Sequence, residues 1–382
     1  MPRKMDFEAK YRAGDAMPFN QKNDMFKRMW WDKKFEGHLR DFNGVIPADG
    51  RNGAINENLA LRNAAWSIEQ GYAKGVSGGQ FLMFDWNNDY VIRGMARIDR
   101  DTPFDASDPA HNSRVIKKAA EFFGAVSTGV CKFDQRWIYT KGYRLNECVE
   151  FDIDIPDEYQ YVINFAVEMP YEHARFLPTY LGSAGTGYGY SKMAVTAGLV
   201  AQFIRQLGYK AIPSGNDTAM SIPYAIQAGL GELGRNGILV TPKYGPRVRL
   251  CKIFTNMPLE CDEPIEFGVM EFCNVCKRCA EQCPSKAITE GERTTEGHNI
   301  SNSNGPLKWY VDGEKCHMFW TKSRCDCGIC IRACPFNKPL DFLHETTRWF
   351  IERFPALDSL VLQAEKLFGY GKQVSIEGYW DS

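Results

Sequence analysis

The sequence predicts an α/β (α+β) protein with a cysteine-rich module set into it, and three observations predict this. Up to about residue 261, helical and strand patterns alternate, and alternating elements bury their apolar faces in layers. From about residue 262 the strand patterns give way to cysteine, glycine and turns, and nine of the thirteen cysteines fall between 273 and 334. Beyond 340 only helical patterning remains. With 382 residues, 44% hydrophobic and 24% charged, the chain can form one large or two ordinary domains around a packed core.

The elements follow in order. Residues 1–80 are polar with scattered aromatics such as Trp30, Trp31 and Phe42, and within them "ENLALRNAAWSIEQGYAKG" has the spacing of an amphipathic helix ended by Gly75. "SRVIKKAAEFFGAV" (113–126) is a helix running into the strand "STGVCKFD". "YQYVINFAVEM" (159–169), rich in β-branched and aromatic residues, is a central strand. "SKMAVTAGLVAQFIRQLGY" is a helix, and "KAIPSG" is the strand or loop after it. The tail "LDFLHETTRWFIERFPALDSLVLQAEKLFGYG" is helical and breaks near Pro355.

Composition excludes some functions. A net charge of −1 gives no argument for a nucleic-acid surface. The most apolar stretch, "MAVTAGLVAQFI" (193–204), is too short and too often interrupted to span a membrane. The start, "MPRKMDFEAK", has neither an apolar export region nor a twin arginine. Aromatic residues at 13% suit an ordinary core and also an apolar ligand pocket.

The cysteines carry the strongest signal. Cys273, Cys276, Cys279 and Cys283 stand at gaps of two, two and three residues, with Pro284 next. This is the bacterial ferredoxin spacing for a [4Fe–4S] cluster. Cys327, Cys330 and Cys334 repeat the two-then-three spacing before Pro335, and Cys316 stands eleven residues upstream as a displaced first ligand. In two-cluster ferredoxins the last cysteine of each run serves the other cluster. Cys273, Cys276, Cys279 and Cys334 therefore form one ligand set, and Cys283, Cys316, Cys327 and Cys330 the other. Zinc is the competing metal, disfavoured by two runs with the same proline ending. Cys325 is left over, with a two-residue spacing to Cys327 that suits ligation poorly. Cys131, Cys148, Cys251 and Cys261 are expected to be buried thiols. Two clusters in series carry electrons to an acceptor site, which residues 1–260 must supply.

"GLGELG" (229–234) matches a dinucleotide-binding pattern, but it follows a helix rather than a strand and is better taken as a turn. Its glycines, with those of "GSAGTGYGYS" (182–191), also allow a backbone to approach a large flat cofactor.

"IPSGNDTA", "AGLGELGRNGILVTPKYGPRVRL" and "FTNMPL", followed by the paired cysteine runs, resemble the catalytic subunit of a reductive dehalogenase from about residue 160 to 340. The resemblance implies a nitroreductase-like, B12-processing-like corrinoid-binding core at 161–261, with residues 1–160 contributing to the corrinoid and substrate pocket. It implies a ferredoxin-like two-cluster module at 262–340 and a helical tail at 341–382. The cofactors implied are a base-off corrinoid and two [4Fe–4S] clusters. None of the six histidines stands in a DxHxxG pattern, in keeping with the family's lack of a protein histidine on cobalt.

The resemblance also implies the site. The proton donor matches Tyr190, its supporting arginine Arg249 and the polar partner Asn216, with Tyr188 and Arg247 as close competitors. Gly187, Gly189, Ser214, Gly215, Gly229, Gly231 and Gly234 are the cofactor-facing candidates. Trp320, Trp86, Phe84 and Trp31 are candidates for the substrate pocket, although ordinary core is the commoner fate of such aromatics. The implied reaction is reductive removal of chloride from a small organohalide, with overall likeness leaning to chlorinated one- and two-carbon alkanes. The implied partners are a low-potential electron donor, a small membrane anchor protein and a second copy of the chain. Respiratory members are exported by the twin-arginine route to the outer face of the cytoplasmic membrane, which makes this chain a mature form by expectation.

Two other readings compete. Epoxyqueuosine reductase, a tRNA-modifying enzyme, shares the corrinoid and both clusters. It usually adds a helical-repeat tail and a basic surface, whereas only 48 residues follow Cys334 here. A plain electron carrier would leave some 260 residues without a role.

Overall fold

The computed structural model of the chain describes residues 2–38, 44–73, 84–85, 104–145 and 147–381. It opens with β1 (Arg3–Lys4) and α1 (Phe7–Tyr11), whose first turn is capped by the Asp6 carboxylate accepting from the Ala9 amide. Helix α2 (Met25–Trp31) is capped in the same way by Asp24. Helix α3 (Asn56–Ile68) is followed by α4 (Pro109–Phe122), where Asp108 caps the end and Pro109 takes a first-turn position that needs no amide donor. Next come β2 (Ser127–Lys132), the hairpin β3 (Gly142–Arg144) and β4 (Val149–Phe151), and β5 (Tyr161–Glu168). The short α5 (Tyr171–Arg175) leads to α6 (Tyr180–Gln206), then β6 (Ala211–Ser214) and α7 (Ser221–Gln227). A hairpin of β7 (Glu232–Leu233) and β8 (Leu239–Val240) precedes β9 (Val248–Thr255) and β10 (Ile265–Glu266). The cysteine-rich part holds α8 (Val269–Val275), α9 (Arg278–Glu281), α10 (Gly313–Ser323) and α11 (Ile329–Arg332). Helices α12 (Phe342–Arg353) and α13 (Asp358–Leu367) follow, broken at Pro355 as expected.

Strands β2, β5, β9 and β6 form one sheet in that order, and every pairing is antiparallel. The alternation of helix and strand thus yields the α+β form of the expected class. Period-two alternation sends the two sides of each strand into two cores. Ile163, Phe165, Val167, Cys251 and Ile253 pack with α4 and α6 through Ile116, Ala197, Val200 and Ile204. Val162, Ala166, Ile212 and Phe254 pack on the other side with Tyr224, Trp137 and the N-terminal Phe7 and Tyr11. Each fully buried side chain of this size contributes about 1.5–3 kcal/mol. Strand β9, which sequence patterning did not single out, lies inside the sheet and carries Arg249 and Lys252.

The helix expected from Ser191 is longer at its start: α6 begins at Tyr180 and takes in "GTGYGY", with Thr179 capping the Gly182 amide at 3.2 Å. Glycine costs a helix about 1 kcal/mol per residue relative to alanine, and close packing outweighs that here. A Cβ at Gly185 would lie 2.4 Å from His173, and one at Gly187 would lie 2.4 Å from the Trp66 indole on α3.

The N-terminal residues lie along the cysteine-rich part. Strand β1 pairs with β10, and the Leu307 amide donates to the Tyr11 carbonyl at 2.6 Å. Lys10 is bonded to buried Glu232 and to Glu266. Gly305, at φ +107°, lies so close to the Asp15 carbonyl that no Cβ would fit there. From the other end of the chain, Ile351 packs with Phe267, Val269, Phe272 and Phe336. Among the described residues no helix is long and apolar enough to cross a membrane.

Candidate active site and cluster module

Strand β9 and helix α6 together position the first group of candidate residues. Arg249 shares strand parity with Cys251 and Ile253, which face α6. Its guanidinium carbon lies 4.7 Å from the centre of the Tyr190 ring. The Asn216 side-chain amide donates to the Tyr190 hydroxyl at 3.2 Å. Tyr190 is half-buried and Asn216 exposed, so this hydroxyl sits where the protein opens outward. The fold therefore brings Tyr190, Asn216 and Arg249 together from three separate segments.

The competing residues are placed elsewhere. Tyr188 is exposed, with Lys192 over its ring. Arg247 is buried, ion-paired with Glu168 and bonded to the Met169 and Lys338 carbonyls.

Sequence reasoning missed three residues here. Trp66 of α3 stacks on Tyr190 at 5.0 Å with 23° between the rings. Lys252 is fully buried on the opposite face of β9, and its ammonium donates to the Gly215 carbonyl at 2.6 Å and the Ser221 hydroxyl at 3.1 Å. Asp217 accepts from the Gly215 amide at 2.7 Å and from the Thr218 hydroxyl at 2.9 Å. Burial pushes Lys252 down to about 8 and Asp217 up from the usual carboxylate range. The pair grips the turn between β6 and α7 from beneath and leaves Asn216 facing Tyr190. "PSGND" held one signal for this, since an Asp in a glycine turn commonly bonds its own backbone.

The cofactor-facing candidates are mostly packed against protein. A Cβ at Gly189 would meet Met169 and Arg249, one at Gly215 would meet Phe84, and one at Gly231 would meet the Val240 carbonyl. Gly229 sits at φ +73° against the Glu263 carbonyl, Gly234 lies against Asn236, and Ser214 bonds Asp217. Of the pocket candidates, Phe84 is buried beside Gly215. Trp320 stacks with His317 and meets Phe26 edge-on. Trp31 donates to the Lys22 carbonyl at 2.8 Å. Trp86 and Gly75 lie outside the described residues. Among the described residues, two buried donors near the tyrosine, the Trp66 indole nitrogen and Arg249 Nε, find no acceptor. That donor set suits an acceptor-rich group such as the amide- and phosphate-bearing periphery of a corrinoid.

The cysteines fall into two groups. Cys334, from the second run, lines one cavity with Cys273, Cys276 and Cys279, together with Arg235, Phe272 and Phe336. Burial raises the Cys330 thiol, and Cys316, Cys327 and Cys283 add to the rise. Cys283 and Cys330 pack in one cluster with Cys279 of the first group. Burial raises Cys273 and Cys316 to about 12 and Cys276 and Cys327 to about 11. Dry thiols that resist ionisation in each other's presence need bound metal cations to become thiolates, which is the fit expected of cluster ligands. Cys325 is buried instead against Ala54 and Tyr180. Cys131 and Cys251 are buried as expected and Cys261 is half-buried, but Cys148 is exposed in a turn and departs from expectation.

Residues 272–337 match the family model of the 4Fe-4S double cluster binding domain. The chain is 35% identical to a tetrachloroethene reductive dehalogenase of Sulfurospirillum multivorans, over 86% of this chain and 71% of that protein. It is 33% identical to one of Desulfitobacterium hafniense, over 77% of this chain and 59% of that protein. A solved catabolic reductive dehalogenase superposes on 98% of this chain and 50% of its own, with a TM-score of 0.74 at 22% identity. The chain thus spans between half and about seven-tenths of the length of these relatives.

Proposed function

The chain belongs to the reductive dehalogenase family, a B12-dependent class with two [4Fe–4S] clusters, and from that premise we propose that it removes chloride reductively from a small organohalide. The reaction takes two electrons and one proton, replaces the carbon–chlorine bond by carbon–hydrogen and releases chloride. The observation that carries this reading is the meeting of Tyr190, Asn216 and Arg249 at one hydroxyl that opens outward. When bound, the corrinoid supplies the low-potential chemistry at the carbon–halogen bond.

The chain's own residues supply the proton. Because Tyr190 Oη accepts from Asn216, its own hydrogen is left to point at the substrate. Loss of that proton leaves a phenolate, which the Arg249 guanidinium stabilises. Arginine suits the role because it stays charged at any working pH. Lys252 and Asp217 fix the turn that aims Asn216, so the donor is held before substrate arrives. Trp66, stacked on the ring, keeps water from that part of the tyrosine. Tyr188 and Arg247 are already engaged elsewhere, which supports Tyr190 and Arg249 as the working pair.

Cys273, Cys276, Cys279 and Cys334 would hold one cluster, and Cys283, Cys316, Cys327 and Cys330 the other. Electrons would come from a low-potential donor, with a small anchor protein holding the enzyme at the outer face of the cytoplasmic membrane and a second copy as partner. Chlorinated one- and two-carbon alkanes are the proposed substrates. The test is anaerobic reconstitution with corrinoid, iron and sulfide, followed by chloride release under reduced viologen. Chloride release is expected. Turnover of epoxyqueuosine with no organohalide turned over would overturn the reading.

A further inference from the structure

We propose that Arg235 raises the reduction potential of the cluster held by Cys273, Cys276, Cys279 and Cys334 above that of its neighbour. The inference rests on the cluster reading above and concerns which cluster keeps the first electron.

Arg235 lies between the two strands of the β7–β8 hairpin and is 2% exposed. Arg235 lines the cavity that the four cysteines also line. It donates to the Cys273 carbonyl at 3.0 Å, the Thr289 carbonyl at 2.9 Å and the Gly291 carbonyl at 2.8 Å. Its guanidinium lies 4.5 Å from the centre of the Trp309 ring. These partners orient the charge without cancelling it, and among the described residues none of them is a carboxylate. The other buried cations nearby, unlike Arg235, each contact a carboxylate, although two of them share one. Arg278 and Lys338 both bind Glu365, and Lys10 binds Glu232 and Glu266.

The second cysteine group has mixed surroundings, with the half-buried Arg332 donating to the Gly371 and Leu177 carbonyls and carboxylates beside two of its cysteines. Asp326, 6% exposed, stands directly before Cys327 and bonds the Ser183 hydroxyl. Asp312 caps α10, which carries Cys316, and is ion-paired with Lys315 at 3.5 Å. Reducing a thiolate-bound cubane adds one negative charge, and protein charge near the cluster is one of the levers that set its potential. In a dry wall the effect is screened far less than at the surface. The fully buried, uncancelled Arg235 guanidinium therefore favours the reduced state of the first cluster, while in the second the half-buried Arg332 is offset by buried Asp326.

The test is an EPR-monitored redox titration of the full chain reconstituted with corrinoid, iron and sulfide. Wild type should show two midpoints. Arg235→Gln removes the charge but keeps amide donors for the carbonyls. It should lower the higher midpoint by at least tenfold in the reduction equilibrium, about 59 mV for one electron, and leave the lower midpoint in place. Arg235→Lys keeps the charge and should hold the higher midpoint within threefold of wild type. If Arg235→Gln fails to take up iron, the lysine variant decides, and a tenfold drop there overturns the inference. Unmoved midpoints in Arg235→Gln, or movement of the lower one, overturn it too while the cluster reading stands. A wild-type chain with no cubane signal removes both.

Discussion

One hydrogen bond, from Asn216 to the Tyr190 hydroxyl, ties the end of the sheet to the glycine-rich helix. The hydroxyl is the only atom that Tyr190→Phe removes, and Trp66 can still stack on the ring. The variant should keep corrinoid and eight irons but lose about 10²–10⁴-fold in turnover, the usual range for a general acid. Tyr188→Phe should stay active, because that ring is exposed. Steady-state chloride release with cofactor content measured in parallel checks both, and a fully active Tyr190→Phe would remove the tyrosine from the mechanism. The three residues of this group were legible in "GTGYGYS", "PSGND" and "GPRVRL" because short motifs bring their own register. Trp66 was not, since a helix pattern gives a face but not the partner that the face will meet. Lys252 was hidden for a related reason: a lysine in a strand usually faces water, and only the sheet order shows that this one is enclosed.

Among the elements, α6 shows how packing overrides local preference. Gly187→Ala would gain about 1 kcal/mol of helix propensity. The added methyl, however, would stand 2.4 Å from the Trp66 indole, and overpacking of this kind costs about 1–3 kcal/mol. The variant should melt lower by thermal denaturation, and a higher melting temperature would mean that α3 is not seated this closely. In sequence the glycines suggest room for a cofactor, but much of that room is filled by side chains of the protein itself. The cysteine runs were far more legible, because ligand spacing is dictated by the cluster and depends little on the fold around it. For the same reason Cys334→Ala, although it lies beside Cys330 in sequence, should damage the cluster held by Cys273, Cys276 and Cys279. Iron content and EPR of the variant check this, and loss of the other cluster with this one intact would break the pairing.

At the scale of the whole molecule, the C-terminal helices are docked on the cysteine-rich part by a titrating contact. Asp358 is 1% exposed, one of its oxygens has no hydrogen-bond partner among the described residues, and it feels the charge of Glu271. Burial raises its carboxyl from 3.8 to about 6 in the folded chain. The folded state holds this proton more tightly than the unfolded one, so the contribution is favourable at low pH and is lost as pH rises from about 4 to about 6. Asp358→Asn should stabilise the protein by roughly 1–2 kcal/mol at pH 8 and by little at pH 4. Chemical denaturation at the two values checks this, and an equal gain at both would place the cause outside titration. The general class was legible from alternating patterns, and the tail was correctly read as helical. The antiparallel order of the sheet was not, because it depends on strands far apart in sequence.

The pairing of β1 with β10 joins the third residue to the 266th. Closing a loop of that length costs about 5 kcal/mol of chain entropy, more than two residues of strand return at about 1 kcal/mol per hydrogen bond. The pairing therefore cannot form early. It waits until the hairpin bearing Glu232 and the segment around Gly305 exist for Lys10 and Asp15 to settle upon. Residues near the start of the chain are in this way among the last to find their place. Until they do, that side of the cysteine-rich part stays uncovered.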